Sequence, residues 1–310
     1  MVQEWLLLFI GLAGLWFISS YVVEAARGLA AAFHVSPLVI GLTITSIGTS
    51  LPEIATAIAA GVARKAGVQT SGLAMGNIVG ANLGQITIIL GIVGLFYYLR
   101  FKREELISNG LIMISAVVVL FVLSLNGLSR IDGAVLIALY VLYIWYVLKK
   151  HKVFQKDKRI KEPWLTDLAV VVLGLVLIVF SANIMVNAGE SIARALGIGD
   201  YLIGFFIGFG TSLPELTVSL RAAARKAGAL SLGNLIGSNI TDPLLSIGSG
   251  VVIAKLTVAR EILFFDFVYW FIASLIAFFM LLHHVNLNKK EASVLILLYL
   301  LFIYLKLAVF

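Results

Sequence analysis

Two acidic residues stand in the same six-residue phrase, once in each half of the chain. Residues 48–53 and residues 210–215 both read Gly-Thr-Ser-Leu-Pro-Glu, and each phrase lies inside a long apolar segment. The acids are Glu53 and Glu215. Carboxylic acids and broken helices are tolerated at membrane depth only where they line a cavity or are buried in protein. Two such breaks at corresponding positions predict a transporter binding site between the halves.

Each proline of the repeated phrase is expected to break its helix. Pro52 and Pro214 cannot donate a backbone hydrogen bond, and each clashes with the carbonyl four residues earlier. We therefore expect freed carbonyls on the preceding turns, around residues 46–49 and 208–211. Together with the ends of half-helices, such carbonyls can bind cations beside the glutamates.

A second pair of apolar segments carries polar residues four positions apart, which places them on one helix face. They are Asn234, Ser238 and Asp242 in the second half, with Asn77, Ala81 and Gln85 at the corresponding positions of the first. Glycines on the same segments predict close helix packing, and these are Gly76, Gly80, Gly233 and Gly237. Four asparagines are expected either to bind the ion or to form interhelical hydrogen bonds, namely Asn77, Asn82, Asn234 and Asn239.

The charge of the buried acids indicates which ligand the site would take. Glu53, Glu215 and Asp242 fall well inside apolar segments, and no Lys or Arg lies deep in any of them. A bound cation or protons must therefore neutralise these acids. The available ligands are all oxygen atoms, which suit a hard ion such as Ca²⁺. Zinc, copper and nickel are disfavoured, because the chain has no cysteine and its four histidines lie near segment ends.

Composition predicts an all-α polytopic membrane protein. The chain has 310 residues, of which 61% are hydrophobic and only 13% charged, far from the balance of a soluble domain. That length allows ten transmembrane helices of roughly 20 residues each. The apolar runs lie near residues 5–25, 36–63, 71–98, 106–126, 131–148, 165–188, 200–221, 231–254, 262–282 and 291–309.

The ten predicted helices divide into two repeats. Besides the phrase with the glutamates, two more stretches recur, with residues 63–67 matching 224–228 and residues 76–82 matching 233–239. We predict a first five-helix repeat over 1–148, a basic linker over 149–164 and a second five-helix repeat over 165–310. Because each repeat has an odd number of spans, the second is inverted, and the substrate site is expected between the two near the midplane.

Basic residues predict the orientation in the membrane. With the N-terminus outside, 16 of the 23 Lys and Arg residues fall in cytoplasmic loops, so both termini should be outside and the linker cytoplasmic. We expect a multi-pass protein of the cell membrane whose partners are the lipid bilayer and inorganic cations. The net charge of +7 lies at span ends, so a nucleic-acid partner is not expected. A monomer is compatible with the sequence.

These motifs resemble those of the cation/Ca²⁺ antiporter superfamily, and most of all its prokaryotic sodium/calcium exchangers. The resemblance covers both copies of the two phrases, and it implies a secondary antiporter that exchanges Ca²⁺ for Na⁺ by alternating access, without a cofactor and without enzymatic activity. It also implies that the first and sixth spans slide against the rest. The ion ligands it implies are Glu53, Glu215, Thr49, Thr211, Ser50, Ser212, Ser238, Ser46 and Gly208, with Gln85 and Asp242 beside the centre.

The sequence departs from this family at two positions and leaves alternatives open. Ala81 stands where the family usually has a serine, and Gln85 replaces a shorter Asn or Asp, so an H⁺/Ca²⁺ exchanger is the second hypothesis. A passive cation channel would need no counter-ion. A remote alternative is an intramembrane aspartyl protease, because residues 197–200 read Gly-Ile-Gly-Asp. That chemistry needs a second, facing aspartate, for which the sequence has no matching phrase.

Overall fold

The described part of the chain is built from helices. The structure, a computed structural model, describes residues 2–67, 71–99, 102–151, 164–196, 209–284 and 286–309. No strand forms within these ranges, although an isolated antiparallel bridge joins Leu128 and Leu256. The predicted all-α class is therefore confirmed for these residues. Most of the predicted linker lies outside them, as do Gly208 and Asp200.

The helices of the first half are interrupted twice by short π-helical turns. In chain order they are α1 (Val2–Ala32), α2 (Pro37–Ile40), α3 (Ser46–Thr49), α4 (Leu51–Lys65), α5 (Ser71–Gly84), α6 (Leu90–Phe96), α7 (Arg103–Ser124) and α8 (Arg130–Lys150). The π turns Gly41–Thr45 and Gln85–Ile89 join α2 to α3 and α5 to α6. Such turns are frequent at functional sites.

The second half follows a similar plan. Its described helices are α9 (Trp164–Ala195), α10 (Leu213–Ala224), α11 (Gly228–Thr241), α12 (Ile247–Ile253), α13 (Phe267–His284) and α14 (Lys289–Val309). The π turns Asp242–Ser246 and Ile262–Asp266 precede α12 and α13. One of these described π turns starts at Asp242. The π turn of the first half that starts at Gln85 occupies the matching position of the sequence repeat.

Several of these helices are long and apolar enough to cross a membrane. Six stretches of the described chain meet this condition, and a seventh does if α2–α3 and α4 form one bent span. The six are Val2–Ala32, Ala74–Phe96, Arg103–Ser124, Arg130–Lys150, Trp164–Gly189 and Ile262–His283. They confirm a polytopic membrane protein, while the total of ten spans stays a prediction.

Both repeated phrases interrupt a helix, as their prolines predict. The segment that includes α3 meets α4 at an angle of 46°, and the intervening Ser50 leaves the helical region with φ −78° and ψ 8°. Ser212 has nearly the same backbone angles before α10, at φ −89° and ψ 8°. Each proline is the second residue of the helix that follows, where its missing N–H is tolerated. The proline therefore starts the new half-helix directly in front of the glutamate.

The buried apolar side chains form two clusters. The larger one is centred on α5, α7, α11 and α13, and its largest side chains include Trp270 and Phe267. The smaller one joins α1 to α9 and to one face of α10, through Val22, Ile178 and Val218. α1 and α9 thus pack chiefly on each other, beside the helices that carry the glutamates.

One buried ion pair was not expected from the sequence. Asp266, in the π turn before α13, is only 4% exposed. The Nζ atom of Lys306 on α14 donates to both of its carboxylate oxygens, each at 2.8 Å. Sequence periodicity did not reveal this pair, because the two residues lie 40 positions apart. The pair ties the start of α13 to the end of α14.

We predict that Lys306→Met lowers the thermal midpoint of the purified protein, because it leaves Asp266 buried without its cation. Removing one partner of a buried pair costs about 3–5 kcal/mol in soluble proteins. Thermal unfolding followed by tryptophan fluorescence in detergent measures the effect. The double variant Asp266→Asn/Lys306→Met should recover part of the loss, and Lys289→Met, at the exposed start of the same helix, is the matched control. Equal midpoints for Lys306→Met and Lys289→Met would show that the pair does not stabilise the fold.

Candidate cation site

The two glutamates of the repeated phrases are brought together in the interior. Each is the third residue of its half-helix, and neither exposes any surface to solvent. The carboxylate of Glu53 interacts electrostatically with those of Glu215 and Asp242, and Glu215 interacts with Asp242 as well. The structure therefore places the three predicted acids in one buried cluster.

The carboxylate of Glu215 is contacted by hydroxyls from both halves. Ser50, at the break of the first half, donates to its Oε1 atom at 3.5 Å, and Ser238 of α11 donates to the same atom at 3.4 Å. The hydroxyls of Thr49 and Ser238 are 3.5 Å apart. The phrase of the first half thus lies directly against the acid of the second.

The threonines of the two phrases make reciprocal contacts across the halves. Thr49 donates to Oδ1 of Asn234 at 3.2 Å, and Thr211 donates to Oδ1 of Asn77 at 3.3 Å. The predicted interhelical hydrogen bonds of these asparagines are confirmed, and their direct ligation of an ion stays a prediction. The hydroxyl of Thr49 also lies 3.3 Å from the carbonyl of Ser46, which is a second acceptor on its own helix.

The environment of Glu53 differs from that of Glu215. Among the described residues, neither carboxylate oxygen of Glu53 has a partner within hydrogen-bond geometry, although the hydroxyl of Thr211 interacts with this carboxylate. The hydroxyl of Ser212 has no partner in the same part of the chain. One reason lies in the sequence: Ser238, which donates to Glu215, corresponds to Ala81 in the other half, and Ala81 is buried at 1% exposure without a hydroxyl to offer. Bare, buried carboxylate oxygens are the strongest sign of a missing cationic or protonic partner.

Asp242 is surrounded by neutral donors. Its Oδ2 atom accepts from Asn82 at 3.0 Å and from Gln85 at 3.4 Å, while Oδ1 accepts from Ser246 at 3.3 Å. Gln85 in turn accepts from Asn239 at 2.9 Å. The predicted asparagines therefore hold a polar layer in which each half donates to the other, and this layer adjoins the glutamates.

Close packing between the halves follows from the predicted glycines of α11. A Cβ atom on Gly233 would stand 2.5 Å from the carbonyl oxygen of Leu38, and one on Gly237 would stand 2.7 Å from the side chain of Ser46. The prediction of close approach is confirmed there. Around Gly76 and Gly80 of α5, no described atom lies within 4 Å of such a Cβ, so the prediction is untested in the first half.

The prediction about freed carbonyls needs one correction. The carbonyl of Ser46 accepts from the N–H of Ser50 at 3.0 Å. It is therefore not left free by the break, because the N–H of Ser50 still closes the last turn of α3. The carbonyl opposite the missing N–H of Pro52 is that of Gly48. Gly208, the predicted counterpart of Ser46, lies outside the described residues.

The chemistry of the site suits a hard cation. Within the described residues, no Lys, Arg or His forms an ion pair with Glu53, Glu215 or Asp242. The same part of the chain holds no group of three or more His, Cys, Asp or Glu side chains arranged to hold a metal ion. A cation here would draw many of its ligands from hydroxyl, amide and carbonyl oxygens, and hard ions accept all of these.

Three polar residues of the site were missed by sequence reasoning. Ser219 of α10 contacts Asn234 at 3.1 Å, Ser246 contacts Asp242, and Tyr140 of α8 accepts from Thr241 at 3.2 Å. Ser219 and Ser246 each follow an acid by four residues, so their helix-face spacing could have found them. Tyr140 gives no such signal, because it approaches from a distant helix.

Comparison with known proteins places the whole chain in one group. The profile of the family described as sodium/calcium exchanger protein matches residues 3–149 and 166–308. The sodium/calcium exchanger MaX1 of Methanosarcina acetivorans is 30% identical over 345 residues, which cover 97% of each chain. An uncharacterized membrane protein of Methanocaldococcus jannaschii is 35% identical over 77% of this chain and 79% of its own length.

Solved structures give the same result for the fold. The sodium-calcium exchanger NCX_Mj, soaked with 10 mM Na⁺ and no Ca²⁺, superposes with a TM-score of 0.86 at 30% identity and covers 98% of both chains. The same exchanger soaked with 2.5 mM Na⁺ and 0.1 mM Ca²⁺ gives a TM-score of 0.85. The similarity therefore spans both halves and the site between them.

Proposed function

Because the chain belongs to the sodium/calcium exchanger family, we propose that it exchanges Ca²⁺ for Na⁺ across the cell membrane by alternating access. The observation that carries the proposal is the pair of fully buried glutamates, one from each half, with no basic partner among the described residues. Two of the proteins compared, MaX1 and NCX_Mj, are named sodium/calcium exchangers, which supports Na⁺ as the coupling ion.

The proposed exchange follows from the charge of the site. Glu53 and Glu215 together need about two positive charges to stay ionised in a dry interior. One Ca²⁺ supplies them, and so do two or more Na⁺ ions. An empty site would carry bare anions through the membrane, which is costly. The carrier therefore changes its orientation readily only when it is loaded, and this couples the two ion flows.

We propose the ligands that the family resemblance implies. Ca²⁺ is held by Glu53, Glu215 and the carbonyls of Thr49 and Thr211. Na⁺ uses the same glutamates, the hydroxyls of Ser50, Ser212 and Ser238, the carbonyl of Gly208 and the second lone pair of the Ser46 carbonyl, whose first lone pair accepts from Ser50. Gln85 and Asp242 border the central position, where Asp242 is already satisfied by neutral donors.

The architecture we propose has ten spans in two inverted repeats. The hydrogen bonds between the halves support it, because a donor of one half and the matching donor of the other half each reach an acceptor in the opposite half. Thr49 donates to Asn234 as Thr211 donates to Asn77. Asn82 donates to Asp242 in the same way that its counterpart Asn239 donates to Gln85. A two-fold axis between the halves produces this kind of exchange.

Proton coupling is the second candidate, and one observation favours it. A third buried acid, Asp242, interacts with both glutamates, so three anions around one divalent ion would leave an excess negative charge. A proton on Asp242 removes that excess. The family match lends no support to the aspartyl protease alternative, whose Asp200 lies outside the described residues.

The coupling ion is tested in proteoliposomes loaded with Ca²⁺. We expect an inward Na⁺ gradient at fixed pH to drive Ca²⁺ efflux, and a pH gradient without Na⁺ to drive little. Ca²⁺ efflux driven by the pH gradient alone would show that the counter-ion is H⁺ and would overturn the proposed Na⁺ coupling. Ca²⁺ flux with neither counter-ion present would indicate a channel.

We predict that Glu53→Gln and Glu215→Gln each abolish Na⁺-driven Ca²⁺ uptake into Na⁺-loaded proteoliposomes, because one remaining carboxylate cannot balance a divalent ion. Glu291→Gln is the matched control, since this glutamate caps the exposed start of α14. Near-normal uptake by either site variant, measured at equal protein content, would refute the ligand assignment.

We predict that Ala81→Ser changes the Na⁺ dependence of Ca²⁺ uptake. The new hydroxyl would give Glu53 the contact that Ser238 gives Glu215, and it adds an oxygen ligand for Na⁺. The half-saturating Na⁺ concentration should fall, while Ala74→Ser, also buried on α5, leaves it unchanged. Identical Na⁺ titrations for Ala81→Ser and the unmodified protein would contradict the role given to the missing hydroxyl.

The orientation we propose places both termini outside and the basic linker in the cytoplasm. The chain has no cysteine, so single cysteines can report on each side without removal of native thiols. A cysteine at Gln3 should react with a membrane-impermeant maleimide in intact cells, whereas one at Lys158 should react only after the cells are opened. The reverse pattern would invert the assignment.

A further inference from the structure

A chain of hydrogen bonds leads from a backbone carbonyl to the candidate cation site. The hydroxyl of Ser219 on α10 donates to the carbonyl of Ser231 at 3.4 Å. The Nδ2 atom of Asn234 donates to Ser219 at 3.1 Å. Thr49 then donates to Oδ1 of Asn234 at 3.2 Å. Ser219, Ser231 and Asn234 are all fully buried, so water does not compete for these contacts.

The donor and acceptor roles in this series of hydrogen bonds are fixed by the carbonyl of Ser231. A backbone carbonyl can only accept, so the single proton of Ser219 points to Ser231 and its oxygen is left to accept. An asparagine can present either its oxygen or its nitrogen to a neighbour. Here Ser219 accepts from the nitrogen, and the oxygen of Asn234 therefore faces Thr49.

The orientation of Asn234 decides what Thr49 offers to a cation. The hydroxyl of Thr49 approaches Glu215 and Ser238 as well as Asn234. With the amide oxygen facing it, this hydroxyl has a neutral acceptor in Asn234, and its lone pairs stay available to the site. Another acceptor within reach is the carbonyl of Ser46, at 3.3 Å. A reversed amide would instead donate an N–H to Thr49 and occupy a lone pair that a cation needs.

The first half provides a natural comparison. Ser219 follows Glu215 by four residues, and the residue four positions after Glu53 is Ala57, which is buried at 1% exposure. The matching asparagine, Asn77, accepts from Thr211 in the same way, but its Nδ2 atom has no partner among the described residues. The series of hydrogen bonds from Ser231 through Ser219 and Asn234 to Thr49, called the relay below, therefore has a complete counterpart nowhere among the described residues of the first half.

We propose that Ser219 is a positioning residue of the cation site. It holds Asn234 in the orientation that leaves the hydroxyl oxygen of Thr49 available to the ion as a ligand in addition to the Thr49 carbonyl, and so it raises the affinity for Ca²⁺ without touching the ion itself. The inference rests on the proposed function in one respect, namely that a cation binds beside Thr49 and Glu215. It also assigns the two halves unequal shares in binding, although their motifs match.

The test is equilibrium binding of radioactive Ca²⁺ to the purified full-length protein in Na⁺-free solution. Ser219→Ala removes the acceptor for the Asn234 amide, and we expect Kd for Ca²⁺ to rise by about tenfold, the lower range for residues that orient metal ligands. Ser219→Thr keeps the hydroxyl and should bind Ca²⁺ like the unmodified protein. Thr217→Ala is the matched control, because its hydroxyl bonds only within the same helix.

A double-mutant cycle separates the relay from a general loss of packing. If Ser219 acts through the Thr49 hydroxyl, Ser219→Ala should add little to Kd once Thr49→Val has removed that hydroxyl. An equal rise in Kd in both backgrounds would overturn the proposal, and so would an unchanged Kd for the single variant. Low protein yield for Ser219→Ala with unchanged Kd would assign the serine to folding alone.

The same preparations keep this inference distinct from the proposed exchange. If the unmodified protein binds Ca²⁺ but shows no Na⁺-driven flux in proteoliposomes, the proposed coupling fails. The relay is then still decided by Kd of the Ser219 variants. If flux is Na⁺-driven and Ser219→Ala binds Ca²⁺ normally, the exchange stands and the relay is rejected.

Discussion

Carboxylates held in an apolar interior need a positive partner, and the rest of the site is arranged around that need. Glu53 and Glu215 expose no surface, and a charge at such depth costs several kcal/mol unless it is compensated. The broken helices provide what an unbroken helix would not: a half-helix start that carries the acid, directly beside the backbone of the opposite half. Because no basic side chain among the described residues pairs with these acids, a bound cation or protons must supply the compensating charge.

The two halves meet this constraint differently. Oε1 of Glu215 accepts from Ser50 and Ser238 while its Oε2 has no partner, and neither oxygen of Glu53 has a partner within hydrogen-bond geometry. Since one carboxylate accepts hydrogen bonds from hydroxyls and the other does not, the two offer unequal positions to small ions. A divalent ion that bridges both acids depends less on this difference than a monovalent ion that uses only one. The two repeats thus differ at Ser238 and Ala81, and this difference affects the ion positions more than the fold.

Local sequence features were enough to predict the parts of this site whose cause is local. The proline of each phrase predicts the break. Polar residues four positions apart predict the polar face of α11, and Gly233 and Gly237 predict its close packing. Contacts between distant segments could not be predicted in the same way. The pairing of Asp266 with Lys306 depends on how α13 meets α14. The carbonyl of Ser46 is occupied because the N–H of Ser50 closes the last turn of α3.

The distribution of the core also bears on how such a site could be opened to either side. The polar layer of Asn82, Gln85, Asn239 and Asp242 joins the halves by side-chain hydrogen bonds within the larger apolar cluster. α1 and α9 belong to the smaller cluster and meet the site helices mainly along one face of α10. Moving the layer would break buried polar contacts, which is expensive. The contacts of α1 with α10 are mostly apolar, with an ion pair of Arg225 and Glu24 on the exposed surface, and a surface pair contributes little. This difference in cost supports the sliding of α1 and α9 that the family resemblance implies.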